Sequence, residues 1–388
     1  MRLPFLVAMV ICSAAAAQPF LPARDDEVIE RLPYKPGDPV MTQLRSERTR
    51  LSEQPDNLRL ALRLAQHYIE LGRLSGDPRY AGYAQAALTP WWDLERPPEQ
   101  VQLLRATLRQ RSHDFDGALV DLDAMLRLDP RQVQARLTRA TVLQVQGAYQ
   151  RAWDDCVALR NLVDELVAVT CMTSVGSVSG RLQDSYQQLH RTLERHPDVD
   201  PNIRSWVVTA LAEMAAHAGL TSAADAYFRQ ALALDRSDFY LLAAYADFLL
   251  DQHRPTEVLA LLRDQTRADP VFLRYVLALK AAGSPELAAQ VEQLRARFAA
   301  SRMRGDRVHL REEARFTLHL AGDAPHALQL AEENWKVQKE LADLRILLES
   351  ALATHDAAAL STVSEWLETS RLEDVHIEAL RRTVLHPE

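Results

Sequence analysis

The sequence predicts an all-α protein, and three observations support that prediction. The chain of 388 residues has only 12 glycines and 6% aromatic residues, while Ala, Leu, Arg and Gln recur throughout. It contains no stretch of strict polar and apolar alternation bounded by Asn-Gly or Asp-Gly turns, so the usual signal for β-hairpins is missing. The third observation is an internal repeat of 34 residues, a period typical of stacked helix pairs.

The first residues, "MRLPFLVAMVICSAAAAQPF", are typical of an export signal. Arg2 precedes an apolar run that is followed by Ala15, Ala16 and Ala17, which predicts a signal peptide over residues 1–17, cleaved after Ala17, and a periplasmic or secreted protein. Lipid attachment at Cys12 is an alternative, but the bulky Ile11 precedes it. An uncleaved anchor is disfavoured because the run is shorter than the roughly 20 residues that span a bilayer. No stable membrane insertion is expected.

Two pairs of segments reveal the repeat when they are aligned 34 residues apart. Ala106 falls on Ala140 in one pair, and Ala212 falls on Ala246 in the other. In each unit a first helix brings a small residue to a close crossing, a turn follows, and Asp-Pro at 129–130 or 269–270 ends a second helix, because proline cannot continue it. The turns are predicted at Gly72, Gly147 and Gly219.

The segments "ALVDLDAMLRLDP" and "TRATVLQVQGAYQRA" resemble the second and first helices of tetratricopeptide repeats (TPR). The resemblance implies a right-handed superhelical solenoid of antiparallel helix pairs, each touching its neighbours. We expect TPR-like repeats over 57–270, preceded by a Pro-rich arm and leading helix over 18–56. Divergent, irregular helical hairpins over 271–388 are expected to continue the array. Within the fourth unit, "VTCMTSVGSV" is a poor helix former.

The stretch "SHDFDGALVDLD", residues 112–123, nearly spells a calcium-binding loop. Ser112 and Asp123 are the wrong ligands at its two ends, and the repeat places Asp121 and Asp123 on a helix surface, away from Asp114. No His pair has metal-ligand spacing, and no nucleophile elbow or phosphate-binding loop occurs. The sequence therefore predicts no metal ligand, no catalytic residue and no cofactor. A net charge of −8 disfavours a nucleic-acid partner.

Cys156 and Cys171 are the cysteines that remain after removal of the signal peptide. They fall on the second helix of one unit and the first helix of the next, which are antiparallel neighbours joined by a short turn. In an oxidising compartment this arrangement predicts a disulfide. The alternative is a pair of buried thiols.

The predicted function is that of a non-enzymatic exported scaffold or adaptor for partner proteins or peptides, in envelope assembly or secretion. The TPR resemblance implies that first helices build the concave binding face. The expected contact residues are Gln66, Thr107, Gln110, Thr141, Gln144, Trp206, Glu213, Tyr240 and Asp247. None is Lys or Arg, so a neutral or basic segment is expected, with an apolar side chain on Trp206 or Tyr240.

Three questions remain open at this point. Trp206 and Tyr240 could be packed between repeats, with the partner on the convex face. The array could carry a hydrolase or metal-dependent enzyme, or a sensor pocket for a small molecule. Trp91 and Trp92 are either packed under a loop or exposed for recognition.

Overall fold

The computed structural model describes residues 37–305 and 308–385, in which the regular structure is helical and no strand occurs. The predicted signal peptide and the Pro-rich arm up to residue 36 lie outside these ranges. The chain divides into two compact units, Met1–Gln43 and Leu44–Glu388. Helix α1 (Pro39–Glu53) begins in the first unit, and the second contains the remaining described helices. None of the described helices is long and apolar enough to cross a membrane.

Helices of the second unit form consecutive pairs. The pairs up to residue 262 are α2 (Leu58–Ser75) with α3 (Arg79–Ala87), then, after the short α4 (Thr89–Trp92), α5 (Glu99–Arg111) with α6 (Phe115–Leu128), α7 (Val133–Val145) with α8 (Tyr149–Ala158), α9 (Glu165–Ser177) with α10 (Leu182–Glu194), α11 (Pro201–His217) with α12 (Thr221–Leu234), and α13 (Phe239–Asp251) with α14 (Pro255–Leu262). This is the all-helical array of consecutive helix pairs that the sequence predicts.

The C-terminal third continues as helical hairpins. Its helices are α15 (Asp269–Ala281) with α16 (Leu287–Met303), α17 (Leu310–Phe316) with α18 (Ala324–Val337), α19 (Leu341–Thr354) with α20 (Ala357–Ser370), and a last helix α21 (Val375–Leu385). A π-helical turn over Thr317–Ala321 extends α17.

Polar caps and left-handed turns set the ends of these helices. Aspartates at the start of four helices accept a hydrogen bond from the backbone N–H three residues on, which stabilises a helix N-terminus: Asp114, Asp238, Asp323 and Asp356. Gly147 and Gly219 occupy the predicted turns with φ of 77° and 73°, a region that glycine adopts without a steric penalty. The turn predicted at Gly72 is wrong, because α2 continues through Gly72 and ends at Gly76.

The segment "VTCMTSVGSV" is helical despite its β-branched residues, since most of it lies in α9. The hydroxyl groups of Thr170 and Thr173 donate to the carbonyls of Leu166 and Val169, so these buried side chains are satisfied within the helix. Burial of the whole helix therefore outweighs its poor propensity. Cys171 on α9 lies at disulfide-bonding distance from Cys156 on α8, with a Cα separation of 5.4 Å, as the adjacent-helix prediction requires.

A buried ion pair recurs at the 34-residue period. Arg105 on α5 donates to Asp121 on α6, and Arg139 on α7 donates to Asp155 on α8. Asp121 is buried, so the expectation that it lies on a helix surface is wrong. Its ion pair with Arg105 explains why the calcium-like stretch has an acidic residue at this position. Arg105 also donates to the carbonyl of Trp92, which is half-buried.

The C-terminal helices return to the array, and we call these contacts the closure. The N–H of Lys339 donates to the carbonyl of Val145 at 2.7 Å, where α7 ends. Three side chains lie on the glycines of successive repeat turns: Trp366 on Gly147, Arg371 on Gly180, and Val375 on Gly219. These three turns belong to the α7/α8, α9/α10 and α11/α12 pairs, so the segment from α20 to the start of α21 contacts one turn of each successive pair.

Candidate binding cavity

A cavity of about 720 Å³ lies between the array and the C-terminal helices. First helices α7, α9, α11, α13 and α15 form one wall, and α17, α19 and the start of α21 form the other. Six predicted contact residues line the cavity: Thr141, Gln144, Trp206, Glu213, Tyr240 and Asp247. The other three, Gln66, Thr107 and Gln110, lie outside its lining. The volume is in the range of ligand pockets.

Two aromatic side chains on neighbouring first helices reach into the cavity. Trp206 on α11 is 40% exposed and Tyr240 on α13 is 62% exposed. Packing of these rings between repeats, one of the alternatives left open by the sequence, is therefore wrong. Aromatic rings held by rigid helices are typical anchors for a bound side chain.

Glu213 is a carboxyl group in an enclosed site. It lies two helical turns after Trp206 on α11 and accepts a hydrogen bond from the hydroxyl of Tyr240 at 2.5 Å. Burial raises its pKa to about 7, and the nearby carboxylate of Glu340 adds to the rise. Among the described residues, no Lys or Arg forms an ion pair with Glu213.

Asp247 is placed differently from the prediction. Its carboxylate accepts hydrogen bonds from Arg274 at 2.7 and 3.0 Å and from Arg315 at 2.6 Å, and these cations lower its pKa despite burial. Asp251, one turn further along α13, is held by two bonds of 2.8 Å from Arg345. Asp247 is therefore not a free charge for a partner, because the protein neutralises it.

The cavity also contains cations, although none of the contact residues expected from the sequence is Lys or Arg. Arg274 lies on α15, and Arg311, Arg315, Lys339 and Arg345 come from later parts of the C-terminal third; all five line the cavity. No local pattern in the sequence links the four later cations to the first helices. Arg311 pairs with Glu340 at 2.8 Å and with Glu312 at 3.2 Å, and these carboxylates hold its pKa well above the ordinary value despite burial.

The far end of the cavity contains His217 and Asp374. Burial lowers the pKa of His217, which lies one turn after Glu213 on α11. Asp374 is buried, and its Oδ1 caps the start of α21 by accepting from the N–H groups of His376 and Ile377. Its Oδ2 has no hydrogen-bond partner in the described part of the chain. Within residues 37–305 and 308–385 no three His, Cys, Asp or Glu side chains are grouped as metal ligands.

Comparisons with known proteins give similarity in structure alone. No protein-family model matches the sequence, and no curated protein matches it. A tetratricopeptide repeat protein from Parabacteroides merdae is similar with a TM-score of 0.39 and 14% identity over 61% of this chain and 91% of that one. Yeast Tom70 is similar with a TM-score of 0.41 and 12% identity over 89% of this chain and 84% of that one. Likeness at this level assigns neither a partner nor an activity.

Proposed function

We propose that the protein is a non-enzymatic, exported helical-repeat scaffold that binds a segment of a partner protein in its central cavity. The cavity itself is the observation that supports this proposal most strongly. Rigid helices present Trp206, Glu213 and Tyr240 to it from two adjacent repeats, while the other acidic groups of α13 are bound by the protein's own arginines. Envelope assembly and secretion are the settings in which we place such an adaptor.

Export is the part of the proposal that rests on residues 1–17. Protein recovered from the periplasmic fraction should begin at Gln18 when its N-terminus is sequenced. A chain that retains Met1 in that fraction, or that stays in the membrane pellet after a salt wash, would contradict export by a cleaved signal.

A pair of threonine variants tests partner binding in the cavity. Thr141 on α7 and Thr362 on α20 are both exposed, and each hydroxyl donates to the carbonyl four residues earlier. Only Thr141 lines the cavity. Thr141→Trp should fill part of the cavity and abolish capture of partner proteins from an envelope extract, identified by mass spectrometry, whereas Thr362→Trp should capture as the wild type does.

Two results would contradict the proposed function. Undiminished capture by Thr141→Trp would place the partner elsewhere, such as on the convex face. A small molecule that co-purifies with the wild-type protein, found by native mass spectrometry and absent from Thr141→Trp, would favour the sensor alternative if no partner protein is captured.

A further inference from the structure

We propose that the bound segment presents a cationic side chain, lysine or arginine, to Glu213 between Trp206 and Tyr240. This inference rests on the proposed function, because it names the chemistry of the segment that the cavity would hold. It replaces the apolar contact that the sequence alone predicts at these two rings.

The charges of the cavity favour a cation. Its lining contains eight Asp or Glu residues and five Lys or Arg residues, so with neutral histidines its formal charge is −3. Arginines of the lining already form ion pairs with carboxylates of the lining, as Arg315 does with Asp247 and Arg345 does with Asp251. Within residues 37–305 and 308–385, the Tyr240 hydroxyl is the one hydrogen-bond partner of the Glu213 carboxyl group. A carboxylate in an enclosed site without a cation is costly, and an incoming cation removes that cost.

The two rings suit a cation on a long stem. Trp206 and Glu213 are seven residues apart on α11, which places them on one face of the helix and about 10 Å apart along its axis. An extended lysine or arginine stem can lie along that face, with its methylene groups on the rings and its charge at Glu213. The negative faces of Trp and Tyr attract the same charge.

A second acceptor lies further along the cavity. Asp374 Oδ2 is buried without a hydrogen-bond partner among the described residues, and Asp374 lines the cavity. A buried acceptor of this kind is stabilised by a donor from a ligand. Backbone N–H groups of the bound segment can supply such a donor to Asp374, while its cationic side chain reaches Glu213.

An anionic segment fits less well. Arg311 already contacts the carboxylates of Glu312 and Glu340. Among the described residues, Lys339 forms no ion pair with a carboxylate; its ammonium group donates to the carbonyl of Trp335 and lies 5.6 Å from that residue's ring. An anion would also meet the negative formal charge of the lining.

The test is a titration of the full mature chain with defined peptides. The protein carries 5-fluorotryptophan, and Trp206→Phe assigns the fluorine resonance of Trp206. Four peptides, acetyl-Gly-Ala-X-Ala-Gly-amide with X as lysine, arginine, norleucine or glutamate, differ only in the central side chain. The lysine and arginine peptides should shift the Trp206 resonance until it saturates, with dissociation constants at least tenfold lower than that of the norleucine peptide. The norleucine side chain has a similar length but no charge. The glutamate peptide should not bind.

Glu213→Gln keeps the size of the side chain and an acceptor for the Tyr240 hydroxyl. It should weaken the binding of the lysine peptide at least tenfold. Glu332→Gln, on the exposed side of α18 and outside the cavity, is the charge-matched control and should bind as the wild type does. Equal affinity for lysine and norleucine, no saturable shift with lysine, or full affinity in Glu213→Gln would each overturn the cationic-site proposal. The Thr141→Trp capture experiment judges the proposed function separately, because it does not depend on the charge of the segment.

Discussion

The ion pair between Asp251 and Arg345 is expected to hold the closure in place. Arg345 on α19 donates one 2.8 Å bond to each oxygen of Asp251 on α13, across 94 residues of sequence. The side chain of Arg345 is 28% exposed and that of Asp251 is 13% exposed. Arg345→Gln removes the cation and leaves Asp251 at the C-terminus of α13, where the helix dipole disfavours a negative charge. Among the described residues, the basic side chain that remains near Asp251 is His376, whose Nε2 lies 3.6 Å from the carboxylate.

We expect Arg345→Gln to cost about 3 kcal/mol, at the lower end for a broken buried pair because the arginine is partly exposed. In the double variant Asp251→Asn with Arg345→Gln, about 2 kcal/mol of that cost should be recovered, since the carboxylate at position 251 is gone. Glu349, which Arg345 also contacts at 2.8 Å, keeps its 2.8 Å hydrogen bond with His319 in both variants. The exposed pair of Arg195 with Glu165, 54% and 51% exposed, is the matched control. Arg195→Gln should cost less than about 1 kcal/mol.

Hydrogen exchange with mass spectrometry measures this effect locally. Peptides from α19 to α21 should exchange roughly 150-fold faster in Arg345→Gln, the equivalent of about 3 kcal/mol, while peptides from α5 and α6 should be unchanged. Equal acceleration along the whole chain, or no more acceleration than in Arg195→Gln, would refute the view that this pair secures the C-terminal helices.

Three further predictions concern a titration, a disulfide and a glycine. Burial raises the pKa of Glu213 in the folded protein from 4.5 to about 7, so its ionisation lowers the free energy of unfolding as pH rises across that window. In urea titrations, Glu213→Gln should have the free energy of unfolding of the wild type at pH 4 and one about 1 to 2 kcal/mol higher at pH 8. A pH-independent difference would contradict this. Periplasmic protein should show no free thiol at Cys156 or Cys171 by mass after alkylation; two alkylated cysteines would end the disulfide prediction. Gly147→Ala should cost about 2 kcal/mol or more, because φ is 77° and the new methyl group would overlap the indole ring packed there, whereas Gly283→Ala, with φ of 64° and open space around it, should cost less. Equal melting temperatures for the two glycine variants would count against that contact.

The sequence predicts features that depend on neighbours in the chain. The 34-residue period finds the helix pairs, and the adjacent-helix argument brings Cys156 close to Cys171. Helix periodicity places Glu213 and Trp206 on one helix face, because seven residues make about two turns. These are short-range consequences of helix geometry and of stacking between successive units.

The closure escapes prediction because its contacts join distant positions. Asp247 meets Arg315 across 68 residues, and Asp251 meets Arg345 across 94. In the sequence, each of these side chains is typical of the solvent-exposed face of a helix. No local sequence pattern indicates that two charges so far apart in the chain will form an ion pair. For that reason the sequence predicts Asp247 as a contact for a partner, whereas Arg274 and Arg315 of the protein's own C-terminal third neutralise it.

Photo-crosslinking tests most directly whether the segment binds inside the cavity. The lysine peptide can carry a benzoylphenylalanine next to the lysine, and the crosslinked residues can be mapped by mass spectrometry. We predict crosslinks on the cavity faces of α11 and α13, near Trp206 and Tyr240, that are lost in Thr141→Trp and retained in Thr362→Trp. Crosslinks on the second helices α12 and α14, unchanged in both variants, would contradict binding in the cavity and place the partner on the convex face.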